Sequence, residues 1–134
     1  MDKLLDLEIV TPQRPLFQGK VVSVTVPGEF APFQILFNHA PIVSTLIPGV
    51  VSAIDENDNK LLFAVGTGFV MVQENKVWVC VEKAYSREDI DKGQTEQLLT
   101  DLKGKIIQAK SEKEKSEIAI RIAELKAQLE VCEK

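Results

Sequence analysis

Ser86-Arg87-Glu88-Asp89 marks the place where this chain changes its period. The tetrapeptide has the Ser-x-x-acid form of a capping box, in which side chains satisfy backbone N–H groups that a first helical turn leaves unpaired. A helix is therefore expected to begin at Ser86. Downstream, Leu98, Leu102 and Ile106 recur at four-residue intervals with Leu99 and Ala109 alongside, which makes one helical stripe. Ser111-Glu112-Lys113-Glu114 repeats the signature, and Ile118, Ile122, Leu125 and Leu129 form a second stripe. So little sequence separates the two helices that they must fold back antiparallel, stripe against stripe.

Upstream of Ser86 the apolar signal has period two. Leu5, Leu7 and Ile9 alternate with Asp6 and Glu8, and Val22, Val24 and Val26 alternate with Ser23 and Thr25. Turn chemistry punctuates this half at Thr11-Pro12, Pro27-Gly28, Ile47-Pro48-Gly49, the polar run Asp55 to Asn59, and Glu74-Asn75. The spacing predicts about eight to ten short strands. The expected architecture is an N-terminal antiparallel β-sandwich over residues 1–85 and a C-terminal antiparallel two-helix hairpin over residues 86–134. The stretches Lys60 to Val65 and Lys76 to Val81 are apolar on nearly both faces. One face fills a core and the other needs cover, either from a partner or from the chain folding over itself.

At 134 residues, 45% apolar and 27% charged, the chain has the composition of a folded protein with a modest core. Its net charge of −4 mixes both signs, and no basic stripe interleaves with aromatics, which sets nucleic acid aside. No run reaches the roughly 20 apolar residues of a bilayer span. The opening Met1-Asp2-Lys3-Leu4 starts no signal-peptide hydrophobic region, so a soluble, cytoplasmic protein without direct membrane insertion is expected. Cys80 and Cys132 read as free thiols, with a disulfide between them as the alternative.

Chemistry-bearing clusters are sparse. His39 has no Cys or His neighbour in sequence to build a metal set and no evident nucleophile partner, which favours a structural or interface role. Gly66-Thr67-Gly68 separates two strands instead of opening a helix, so it is a turn and not a phosphate loop. Carboxylates and lysines interleave in the helical half, as with Glu117 and Arg121 four residues apart, either as a solvated face or as a surface for a charged partner. No catalytic or metal-binding residues are expected. The hairpin is expected to be marginal alone, since burial of its two stripes does not by itself offset backbone ordering. Gly93 and Gly104 each weaken a helix interior by about 1 kcal/mol relative to alanine.

One continuous segment adds a resemblance. Val26-Pro27-Gly28, then Phe33 to Val43 with His39-Ala40-Pro41 inside it, then Leu46-Ile47-Pro48-Gly49-Val50, resembles the hallmark of the epsilon subunits of bacterial F-type ATP synthases, homologous to the mitochondrial delta subunit. Leu7 to Pro12, Gly68 to Val72 and Glu88 to Asp91 are similar to the same family, in the same order. The resemblance implies a non-catalytic central-stalk rotor subunit on the cytoplasmic face of the inner membrane, peripheral to it. Its sandwich would hold the gamma subunit and sit on the ring of c subunits, coupling ion-driven rotation to ATP synthesis. The loop Phe37, Asn38, His39, Ala40 and Pro41 would face the ring. The hairpin would lie against the sandwich or extend toward the alpha and beta catalytic subunits and impede hydrolysis, with Lys103, Lys105, Lys110, Lys113, Lys115 and Arg121 presented to acidic surfaces.

Two departures accompany the resemblance. Family glycines are replaced by Ala31 and Gln34, and the usual Pro-Gly before His-Ala-Pro is Phe37-Asn38, where Asn38 tolerates positive φ better than most residues. Some relatives bind ATP through Ile-Asp-x-x-Arg-Ala, for which this chain has Ile90-Asp91-Lys92-Gly93-Gln94-Thr95. Gln94 cannot replace a bidentate guanidinium, with Lys92 as a partial substitute, so weak or absent ATP binding and no cofactor are expected. The runner-up reading is a free-standing β-sandwich protein-binding adaptor with a helical tail. A small enzyme relying on His39 is the remote third.

Overall fold

The computed structural model describes residues 3–134. Nine strands come first: β1 (Leu5–Val10), β2 (Pro15–Val26), β3 (Phe33–Leu36), β4 (Ile42–Leu46), β5 (Gly49–Asp55), β6 (Lys60–Val65), β7 (Gly68–Gln73), β8 (Lys76–Val81) and β9 (Ala84–Tyr85). Hydrogen bonding runs in the order β4-β7-β8-β1-β2-β5-β6-β9, with β3 on β2. The long β2 serves both layers. Its first half pairs with β1, its second half pairs with β3 and β5, and the register shifts between Val21 and Ser23 where the strand passes from one layer to the other. The sandwich is antiparallel as expected except for β1 and β8, which run parallel.

Period-two alternation becomes the core. Leu5, Leu7 and Ile9 of β1 are buried, as are Val70 and Val72 of β7 and Val77, Val79 and Val81 of β8. They meet Val24, Val26, Val51 and Phe63 of the other strands in one apolar cluster. The polar turns behave as their residues dictate. Glu74 and Asn75 both take positive φ, 49° and 62°, the left-handed backbone conformation with which a two-residue hairpin loop matches the right-handed twist of β7 and β8. The Asp55 carboxylate accepts from the N–H groups of Asn57 and Asn59 at 2.9 and 2.8 Å and closes the β5–β6 turn. Gly68 has to be glycine, since a Cβ there would lie 2.1 Å from the Cys80 carbonyl oxygen.

The helical half differs from expectation at its start. The Ser86 N–H donates to the Asp89 carboxylate at 3.0 Å, but the box closes only a short 3-10 turn, Arg87–Asp89. Ile90 then returns to an extended conformation and packs beside Ala64, Ala127 and Val131. Burial of that side chain competes with helix continuation and prevails. The long helix α1 (Lys92–Gln108) begins only when Asp91 caps it, accepting from the Gln94 N–H at 3.0 Å. Gly93 therefore falls in the first turn and not in the helix interior, whereas Gly104 is interior with open space around it. The second helix α2 (Glu112–Glu133) starts where expected, with the Ser111 hydroxyl accepting from the Glu114 N–H at 3.1 Å.

The stripe of α1 is rotated from the expected one. Thr95 and Leu99 are buried and Leu102 and Ile106 half-buried, while Leu98 is 38% exposed. On α2, Leu125 is buried and Ile118, Ile122 and Leu129 are half-buried. The helices pack on each other, and α2 lies on β5 and β6. Ala127 and Val131 of α2 cover Ala64, Val50 and Leu62, so the hairpin hides the outer face of one layer.

Candidate functional site

The other layer keeps its outer face open. Its inward positions are filled by the buried residues of β1, β7 and β8, so the alternate residues must point outward. Register aligns Val43, Met71, Trp78 and Glu8 in one row across β4, β7, β8 and β1, and Thr45, Phe69, Cys80 and Val10 in the next. Val43 is 68% and Phe69 43% exposed, while Met71, Trp78 and Cys80 are half-buried. This is the apolar second face read from Lys76 to Val81, whereas that of Lys60 to Val65 is the one under the hairpin. The open face contains two clefts of ≈ 520 and ≈ 460 Å³, one beside Trp78 and Gly19 and one beside Phe69 and Cys80. Around the first, Asp6 and Lys20 pair at 2.6 Å, which raises the Lys20 pKa through that hydrogen bond and the Asp6 charge. Cys80 and Cys132 are both free thiols. Burial pushes the Cys80 thiol pKa up, with Glu8 adding to the effect, so it is a poor nucleophile at neutral pH.

The loop from Phe37 to Pro41 links the two layers between β3 and β4. Asn38 takes φ 64°, the left-handed conformation that glycine would supply. The Asn75 side chain accepts from the Asn38 N–H at 2.6 Å and donates to the Asn38 amide oxygen at 3.2 Å. Two residues far apart in sequence thus clasp the loop to the β7–β8 turn. The His39 N–H donates to the Leu36 carbonyl at 3.0 Å, and its ring Nδ1 lies 2.7 Å from the Ala40 carbonyl. Ala40 and Pro41 are exposed and Phe37 is half-buried. Among the described residues no group of His, Cys, Asp and Glu is arranged to hold a metal ion. At the opposite end of β3, Phe30 is 96% exposed, a residue that sequence periodicity gave no reason to single out.

The degenerate nucleotide motif is used structurally. Asp91 caps α1, Ile90 is half-buried against the hairpin, and Lys92 and Gln94 are exposed. The Thr95 hydroxyl donates to the Asp91 carbonyl at 2.8 Å and lies 3.4 Å from the Gln128 side-chain oxygen. Of the basic residues on the hairpin, Lys103, Lys105, Lys110 and Lys113 are exposed and make no ion pair among the described residues. Lys115 lies 3.9 Å from Glu112. Arg121 is not paired with Glu117 as its spacing suggested; it donates to Glu124 at 3.2 Å. Arg14 pairs with Asp89 at 2.9 Å across the two halves, and within the helical half Arg87 donates from Nε and Nη2 to the Val131 carbonyl at 3.2 and 3.1 Å, tying the 3-10 turn to α2.

Comparison with known proteins agrees with this geometry. The family described as ATP synthase, Delta/Epsilon chain, beta-sandwich domain matches residues 4–87. The ATP synthase epsilon chain of Maricaulis maris is 35% identical over 123 residues, covering 92% of each chain. That of Nitratiruptor sp. is 38% identical over 108 residues, covering 81% of this chain and 83% of its own. Among solved structures, a chain of the Euglena gracilis mitochondrial ATP synthase (OSCP/F1/c-ring) has the same fold, with TM-score 0.83 at 20% identity over all of this chain and 84% of the other. A chain of the Tetrahymena thermophila mitochondrial ATP synthase central stalk and c-ring superposes with TM-score 0.63 at 15% identity over 96% of each. With its sandwich matched almost end to end and its relatives aligned through the helices, the chain belongs to the ATP synthase epsilon-chain family.

Proposed function

We propose that this chain is a non-catalytic central-stalk rotor subunit that couples ion-driven c-ring rotation to ATP synthesis through the gamma subunit. The observation that carries the reading is the asymmetry of the sandwich. One outer face is covered by α2, and the other, from Val43 and Phe69 to Trp78, remains apolar and open. A contiguous apolar face on a chain this small is a protein-docking surface, and gamma is its proposed occupant. The clasped loop from Phe37 to Pro41 is the proposed contact to the c-ring, which puts the protein at the cytoplasmic face of the membrane as a peripheral component. No helix among the described residues is long and apolar enough to cross a bilayer.

The hairpin is the proposed regulatory unit, extending toward the alpha and beta subunits and impeding hydrolysis. Its exposed Lys103, Lys105, Lys110 and Lys113 form a local basic patch around the turn between the helices, suited to acidic surfaces with salt-sensitive attraction. ATP is not part of this regulation: Gln94 offers no guanidinium and Thr95 is engaged with Asp91. Titration calorimetry is expected to detect no ATP binding in the low micromolar range.

A pull-down of the tagged chain with its native gamma subunit, followed by mass spectrometry, tests the assignment. Retention of gamma with alpha and beta is the expected result. A clean failure to retain gamma would leave a free-standing β-sandwich adaptor.

A further inference from the structure

Glu124 is a carboxylate only 6% exposed, in a helix whose other buried residues on the sandwich side are small or apolar. Its Oε1 accepts from two cations, Lys83 Nζ at 3.2 Å and Arg121 Nη1 at 3.2 Å. Arg121 comes from the same helix, one turn earlier. Lys83 comes from the sandwich, in the link between β8 and β9. The neighbouring backbone is shaped for this contact. A Cβ at Gly66 would lie 3.2 Å from Glu124 Oε2, a tighter approach than side chains ordinarily make, and the Gly66 N–H donates to the Lys83 carbonyl at 2.9 Å, fixing the lysine's position.

We propose that Glu124 is the positioning residue of the hairpin. The Lys83–Glu124–Arg121 triad sets the docked population, with Lys83 as the member that docking brings to the carboxylate. The apolar contact between α2 and the sandwich is small, centred on Ala64, Ala127 and Val131. A cross-element ion pair is therefore a large share of what distinguishes docked from undocked. Undocking separates Glu124 from Lys83 but leaves Arg121 beside it on the helix, and the carboxylate regains water. The two states consequently differ by a modest free energy, as suits an equilibrium and not a lock. The triad also fixes rotation about the helix axis, because only one rotation of α2 brings Glu124 to Lys83 and Gly66. Arg121 as a contact to the catalytic hexamer rests on the function proposed above; the latch itself does not.

Thiol labelling of the isolated full-length chain measures it. Ala64, 2% exposed beneath α2, is replaced by cysteine in a Cys80→Ala, Cys132→Ala background, so its labelling rate reports hairpin opening. Val51→Cys, buried between the layers, reports global opening. Glu124→Gln keeps shape and removes charge, and is expected to raise labelling at position 64 about tenfold, discounted for the partial exposure of Lys83. Lys83→Met raises it less, and the double variant raises it by less than the product of the two. Unchanged rates in Glu124→Gln, strictly multiplicative effects, or a parallel rise at position 51 would each overturn the proposal. Hydrolysis by the reassembled complex separates the two ideas: faster opening at position 64 with unaltered hydrolysis retires the inhibitory role and leaves the latch standing.

Discussion

Asn38 and Asn75 hold each other from two turns 37 residues apart, both in left-handed backbone. Asn75→Gly keeps the positive φ, removes an acceptor for the Asn38 N–H and is expected to cost about 1 kcal/mol in urea denaturation. Asn38→Gly keeps the positive φ and loses only the side-chain bond. Asn38→Val, strained at φ 64°, is expected to cost more than either, about 1–3 kcal/mol. Asp89 gives a pH-dependent counterpart. The Ser86 backbone N–H, with Arg14 and the Ser86 hydroxyl adding to it against a smaller desolvation cost, holds its carboxyl below the ordinary 3.8. A carboxyl depressed in the folded state contributes stability that is present above its unfolded pKa and lost as pH falls through the folded one. The Tm advantage of wild type over Asp89→Asn is therefore expected to be full at neutral pH and to shrink as acid is added below about pH 4; an advantage that grows on acidification would contradict this. The φ preference of Asn38 could be read from residue type alone. Its partner Asn75 could not, because their contact depends on how β3–β4 and β7–β8 come together across the sandwich.

Strands and helices were legible wherever one periodicity acted alone. Alternation in β1 and β2 named Leu5, Leu7, Ile9, Val24 and Val26, all buried, and Ser111 capped the helix its signature announced; it also named Val22, which is 43% exposed while Val21 and Ser23 are buried, because the strand shifts register between Val21 and Ser23. Expectation failed where two local tendencies competed. The box at Ser86 formed, yet the burial of Ile90 stopped it after one turn. On α1 the inward stripe runs through Thr95, because a threonine whose hydroxyl bonds within the helix can be buried, while Leu98 is left half in water. Since the main apolar cluster is built from strand residues, removal of everything after Ser86 is expected to leave a folded sandwich. It would also raise ATP hydrolysis by the assembled complex, and unchanged hydrolysis would count against an inhibitory hairpin.

Seen whole, the molecule has two apolar outer faces and an internal cover for one. α2 occupies the face of β5 and β6; among the described residues nothing occupies the face of β4, β7, β8 and β1. The sequence showed that two faces were apolar, but not which would be covered, since that depends on the Lys83–Glu124 contact and on a connection through Arg87 and Asp89. The proposed rotor role would require the open face to hold a partner tightly, so the more exposed of its two aromatics, Phe69, should contribute strongly to the affinity. The affinity of the isolated chain for gamma, measured for Phe69→Glu and, as a control, for Ile107→Glu at an 84%-exposed hairpin position, tests this directly. A loss on the order of a hundredfold is expected for Phe69→Glu and wild-type affinity for Ile107→Glu; wild-type affinity for Phe69→Glu would contradict an open face that docks gamma.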